Sequence, residues 1–218
     1  MLKKYIGTKA FYRTVLLIAV PIMIQNGFTN LVNMVDNVMV GRVGTDEMNG
    51  VAIVNQLLLI YNLSVFGGLS GAGIFTSQFF GKNDSGGVKN VFRIKIFISA
   101  AIFLAGMAIL YFFRRPLILS FLHSGGVTGD IGRTFSFADD YIKIMLIGLL
   151  PFTLNQCYTS TMREISETLP PMYAGVLAVF VNLSLNAVLI YRLLGFPAFG
   201  GRGAAIATVI SRFSECIF

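Results

Sequence analysis

The chain has no tryptophan, a single histidine and two cysteines, and only 12% of its residues are charged. Each shortage removes a class of protein. Cys157 and Cys216 both fall in apolar runs, so there is no disulfide framework and no metal-ligand spacing. His123 follows "RRP" in a connecting segment, which leaves no imidazole inside an apolar run to act as a base. A soluble domain has about a quarter of its residues charged. With 12% charged and 55% hydrophobic residues, this chain has too little polar surface to cover one water-soluble core. Without tryptophan, tyrosine must supply any aromatic belt at a membrane surface.

What fills the chain instead is a series of long apolar runs. They do not alternate polar and apolar residues, which excludes a transmembrane barrel. The fold class is an all-α polytopic membrane protein, read as one six-helix bundle over residues 1–218. The spans are about 14–40, 48–78, 91–113, 138–160, 171–192 and 203–218. A hydrocarbon core of ~30 Å needs about 20 residues. The first five meet that length, whereas the sixth stops short at Phe218 and reads as cut within a helix. The connections, such as "GKNDSGG" and "REISETLPP", are short and carry the Gly and Pro of helix ends. The basic start followed by Val15–Ile24 has no small-residue cleavage site after it, so it is read as the first span and not as a removed leader.

The net charge of +7 sits mostly between the apolar runs, where it meets anionic headgroups. No arginine-rich stripe with interleaved aromatics points to nucleic acid. With the N-terminus inside, the inner segments hold nine Lys and Arg against six outside, and eight against one across the first two hairpins. That bias predicts a cytoplasmic N-terminus and a multi-pass protein of the plasma (inner) membrane.

The first span carries an anomaly, "TNLVNMVDNVMVG" at 29–41. At 100° per residue, Gln25, Asn26, Thr29, Asn30, Asn33, Asp36 and Asn37 share an arc of about 140°. A charged Asp costs about 3 kcal/mol at a helix centre. Asp36 reads either as an interfacial carboxylate or as the acid of an internal cavity, and the depth of Gln25 and Asn26 favours the cavity. Asn55, Gln56 and Asn62 follow on the second span. Asn182 and Asn186, at i and i+4 of the fifth, either bond a neighbouring helix or offer carbonyl oxygens to a cation. Thr208 lies in "GAAIAT" of the sixth. Pro21 and Pro151 mark kinks.

Two enzymatic readings fail. "FGGLSGAG" at 66–73 lacks the Gly-Lys-Ser/Thr of a phosphate loop and reads as close helix packing. "GLSG" within it matches the nucleophile motif of rhomboid-type proteases, but that chemistry needs a histidine on a neighbouring helix. No enzyme is expected.

Several stretches in order, "VDNVMVGRVGTDEMNGVAIVNQ", "TSQFFGKNDSGGVKN", "REISETLPPMYAGVLAVFVNLSLNAVLIY" and "GGRGAAIATVISR", resemble the multidrug and toxic compound extrusion (MATE) transporters. The resemblance implies one lobe, the N-terminal, of a twelve-helix, two-lobe transporter. It implies export of organic, often cationic, small molecules in exchange for Na⁺ or H⁺, with no cofactor. Asp36, Asn182, Asn186 and Thr208 match the family's N-lobe cation site. Position 186 is Asp in some relatives, so Asn186 leaves one carboxylate and the choice of Na⁺ or H⁺ open. Gln25, Asn26, Asn33, Asn55 and Gln56 would line the substrate cavity. The partners implied are membrane lipid and the missing C-terminal lobe or a second copy. Two other readings stand beside this one: a flippase of lipid-linked precursors from the same superfamily, and a membrane scaffold that transports nothing.

Overall fold

A computed structural model describes residues 7–42, 44–124, 130–190 and 199–218. Lys3, Lys4 and Arg192, which entered the charge count, lie outside the described residues. Eight helices account for nearly all of the rest: α1 (Lys9–Gly41), α2 (Thr45–Gly81), α3 (Ser85–Phe112), α4 (Arg114–Ser124), α5 (Ile131–Ile147), α6 (Leu149–Glu164), α7 (Leu169–Ile190) and α8 (Gly200–Ile217). Side chains set several of the starts. Thr8 accepts from the Phe11 amide, Asp84 from Gly87, and Asp130 from Gly132 and Arg133, which satisfies amides that the first helical turn leaves open.

Two features differ from the sequence reading. The segment expected as one span over 138–160 is two helices that meet at Gly148. Pro151 has no N–H, and its ring crowds the carbonyl four residues earlier, at Ile147, where α5 ends. The other is the short helix α4, which no apolar run announced. Pro116 lies in its first turn, where the missing N–H has no intrahelical partner to lose.

α2 is the organising element. At 1.5 Å per residue its 37 residues extend about 55 Å, so it tilts or projects beyond a ~30 Å hydrocarbon layer. Val54, Leu58, Tyr61, Val65 and Leu69, three or four apart, form one buried stripe that joins Ile142 and Met145 of α5 and Ala205 of α8 in a single core. The opposite face carries Leu59, Leu63, Phe66 and Ile74, all exposed. Apolar residues therefore coat the outside of the bundle as well as its core, which is the arrangement of a multi-pass membrane protein. α1, α2, α3 and α7 are each long and apolar enough to cross a membrane.

Small residues set the closest approaches. A Cβ on Gly50 of α2 would lie 3.0 Å from both the Thr134 carbonyl oxygen and the Ala138 amide nitrogen of α5. Backbone cannot swing aside as a side chain can, so Gly50→Leu is expected to cost about 1–3 kcal/mol through overpacking. A lowered thermal unfolding midpoint of the detergent-solubilised protein would register it; an unchanged midpoint would mean that the two helices separate freely.

Candidate functional site

Near the end of α1 that leads into α2, three helices bring polar side chains together inside the apolar bundle. Asn186 of α7, fully buried, donates through Nδ2 to Asp36 Oδ1 of α1 at 2.6 Å and to Asn182 Oδ1 at 2.9 Å. Asn182 in turn donates to Thr208 Oγ1 of α8 at 3.3 Å, and Thr208 donates to the Ala204 carbonyl at 2.9 Å. The i and i+4 spacing on α7 places both amides on the face that meets α8. Gly203 lets the two helices approach closely: a Cβ there would lie 3.1 Å from the Leu189 carbonyl oxygen of α7. Gly200 takes φ +55° at the helix start, a left-handed backbone that suits glycine. Glu47 of α2 accepts the Gly201 amide there at 2.6 Å.

Asp36 is half-buried and opens onto a cavity of about 290 Å³. Asn33 and Asn37 of α1, Asn55 and Asn62 of α2, and Thr208 share its wall. So do Tyr141 of α5 and Arg212 of α8. Of the residues expected to line a cavity, Asn33 and Asn55 are there. Gln25, Asn26 and Gln56 are not. Gln25 and Asn26 lie about 15 Å along the α1 axis from Asp36, and Gln56 is turned 100° around α2 from Asn55. Asn26 and Gln56 are exposed. Gln25 is buried elsewhere, donating to the Pro171 carbonyl at 3.0 Å and accepting from Arg163 Nη2 at 2.6 Å.

One oxygen tests whether these residues suit a hard cation. Asn186 Oδ1 is buried and has no hydrogen-bond partner, an acceptor whose desolvation is uncompensated. The Asp36 carboxylate, the Asn186 amide and the Thr208 hydroxyl carry oxygen donors, the type that hard cations prefer, although it is Asn186 Nδ2 that faces Asp36 here. No cluster of three or more His, Cys, Asp or Glu occurs among the described residues, and Asp36 is the one carboxylate among the described residues that line the cavity. The residues fit Na⁺ or a proton better than a transition metal.

A second charged group is buried away from the cavity. Lys95, counted with the cytoplasmic-side charge although it falls inside the span read over 91–113, lies within α3 and is 0% exposed. Its Nζ reaches both Glu164 oxygens of α6, at 2.6 and 2.5 Å, and Ser160 and Thr161 at 3.2 and 3.3 Å. Arg163, counted with a connection, is in the last turn of α6. The one hint in the sequence is that Lys95 lies some ten residues past the Asp84 cap.

An apolar helical body with a polar, charged hollow inside it is the arrangement of an all-α multi-pass membrane protein. The MatE family profile matches residues 21–188, and the chain belongs to that family, whose members are transporters and not enzymes. It is 26% identical over 201 residues to the probable multidrug resistance protein NorM of Thermotoga maritima, covering 90% of this chain and 41% of that protein. It is 29% identical over 194 residues to the Shewanella oneidensis NorM, covering 88% and 40%. Among solved structures, a MATE protein in its straight conformation superposes with a TM-score of 0.80 at 22% identity, over 94% of this chain and 43% of that one. A transporter of the MOP superfamily from Pyrococcus furiosus gives 0.78 at 23%, over 94% and 43%. These structures share the fold. The chain spans about two-fifths of the length of the relatives it matches.

Proposed function

We propose that this chain is the N-terminal lobe, a single transmembrane unit over residues 1–218, of a multidrug-efflux antiporter that exchanges organic, often cationic, molecules for Na⁺ or H⁺ at Asp36. The hydrogen-bonded set Asp36–Asn186–Asn182–Thr208 on the wall of a polar cavity carries the reading. A bare carboxylate at hydrocarbon depth is costly, by about 3 kcal/mol, so the group is stabilised by whichever cation reaches it. A coupling ion and a cationic drug compete for that charge. Binding one expels the other, which is exchange by mutual exclusion.

The C-terminal half of a longer chain, or a second copy, supplies the opposing wall around which access alternates. The exposed amides of α1 and α2, Asn26, Asn33, Asn55 and Gln56, suit such a wall and not lipid. The basic excess at the N-terminus and in the α2–α3 connection supports a plasma-membrane protein with a cytoplasmic N-terminus.

Asp36→Asn is isosteric and removes the charge. In inverted membrane vesicles carrying the protein as its gene encodes it, the variant is expected to reduce ion-dependent transport of an organic cation to the level of vesicles without it, with expression intact. Transport at the unaltered rate would refute the reading.

A further inference from the structure

We propose that an apolar hollow between α2, α3 and α4 binds one acyl chain of an anionic phospholipid whose headgroup meets Arg115. The hollow shares no lining residue with the Asp36 cavity, and its role stands whether or not Asp36 is the exchange site.

The hollow has a volume of about 300 Å³. Leu57 and Tyr61 of α2 and Leu110 of α3, all buried, form its floor, while Ile60, Ala105 and Ile109 stand exposed at its mouth. Two small residues of α3 create the space. Gly106 lets the Tyr61 ring lie against the helix: a Cβ there would be 2.4 Å from the ring. The Tyr61 hydroxyl is hydrogen-bonded with Thr153 of α6, which keeps the ring from swinging out to fill the gap. Ala105, next along α3, leaves open what a longer side chain would occupy. Leu117 of α4 closes one end.

The walls choose the occupant. Besides the tied Tyr61 hydroxyl, the polar side chain here is Ser64, whose hydroxyl donates to the Ile60 carbonyl at 2.9 Å. No donor is left to orient a polar ligand, and small-molecule sites rely on a few such groups. A methylene chain needs none, and it gains the dispersion contacts that an empty groove forgoes. The setting supplies that chain. Ile60 and Ser64 lie about 140° and 180° around α2 from Asn55, so the hollow opens away from the amide face and onto the outside of the bundle. Ser64 is one residue past the middle of α2, which is hydrocarbon depth.

The headgroup follows from the charge at the end of α3. That helix ends at Phe112, about 10 Å beyond Ala105. Two arginines come next. Arg114 is engaged, paired with Asp139 at 2.8 Å and lying 5.4 Å from the Tyr111 ring centre. Arg115 is exposed and has no ion pair among the described residues. It precedes Leu117 by two residues, at the height where a lipid with its chain in the hollow carries its phosphate. A guanidinium fork suits that group.

Photolabelling of the protein as its gene encodes it, in phosphatidylcholine vesicles doped with a phosphatidylglycerol that carries a mid-chain diazirine, tests the site. Adducts are expected at Ile60, Ile109 and Leu117 in preference to Leu104, which is 65% exposed on the same helix but outside the hollow. Unlabelled phosphatidylglycerol should compete about fivefold better than phosphatidylcholine, the scale of one cation near an anionic headgroup. Ala105→Phe, filling the hollow from α3, should remove these adducts and leave those at Leu104. Ser64→Phe does the same from α2 and decides the matter if the first variant does not fold. Arg115→Gln should keep the adducts and bring the two lipids to parity. Labelling at Leu104 equal to that in the hollow and unchanged in both phenylalanine variants, as for ordinary boundary lipid, overturns the proposal. So does equal competition by the two lipids in the wild type. Displacement of the label by a transported organic cation would make the hollow part of the drug path and would also overturn it.

Discussion

Lys95→Met is expected to destabilise the protein by about 3–5 kcal/mol, the cost of removing one partner of a buried ion pair. The lysine ammonium is sealed from solvent between α3 and α6, and Glu164 is 16% exposed on its side-chain surface. Methionine fills the space of the lysine stem but leaves the carboxylate with neither its counter-ion nor much water. Glu164→Gln should cost at least as much, because Lys95 is the more deeply buried partner. Room to relax is small. A Cβ at Gly73 of α2 would collide with the Glu164 carboxylate, so α2 closes over the pair. Removing both charges in Lys95→Met/Glu164→Gln should recover much of the loss, since two neutral isosteres carry no stranded charge. Cys157, 1% exposed in the same core, gives the readout: its labelling by a membrane-permeant thiol reagent should begin at lower temperature in each single variant and return toward the wild-type profile in the double. Labelling that begins at the same temperature in all four proteins would mean the pair contributes nothing to stability.

The sequence made the long helices legible because apolar run length is a one-dimensional property. The runs at 14–40, 48–78, 91–113 and 171–192 fall on α1, α2, α3 and α7, with ends displaced where polar caps such as Thr8 and Asp84 precede the apolar residues. Local backbone chemistry was harder to read. "RRP" looks like a stop, yet Pro116 lies in the first turn of α4. Pro151 looks like a kink, yet α5 ends four residues before it. The same residue type breaks a helix or begins one according to which turn it occupies. Within the site, the Asn182 and Asn186 pair was visible as one helical face, but spacing alone could not say what that face meets. Its pairing with Asp36, 150 positions away, came only through the family resemblance. Arg212 and Tyr141 were invisible as site residues because an isolated polar residue in an apolar run carries no record of its partner. Lys95, inside the span read over 91–113, was counted with the cytoplasmic-side charge for the same reason: charge near the end of an apolar run looks interfacial until a neighbouring helix supplies the counter-charge.

Asn186→Leu is expected to raise the coupling-ion concentration needed for half-maximal transport by at least about tenfold, since a hydrogen bond to a charged group contributes about 1.5–3 kcal/mol. Asn186 holds the site together from α7: its Nδ2 supports the Asp36 carboxylate and the Asn182 carbonyl at once, and its Oδ1 is the buried acceptor without a partner. Leucine keeps the branching of the asparagine side chain without its polar atoms, so both functions go. The effect should be specific to the ion. In the half-maximal concentration of an organic cation at saturating ion, the change should be smaller, because in the proposed exchange the drug would meet Asp36 from the cavity and Asn186 does not line that wall. Asn182→Leu provides the comparison. It breaks the link to Thr208 but leaves Asn186 bonded to Asp36, so its ion requirement should fall between those of the wild type and Asn186→Leu. Equal ion requirements in all three proteins would show that the amides only join helices, and the exchange site would then reduce to Asp36 and its cavity.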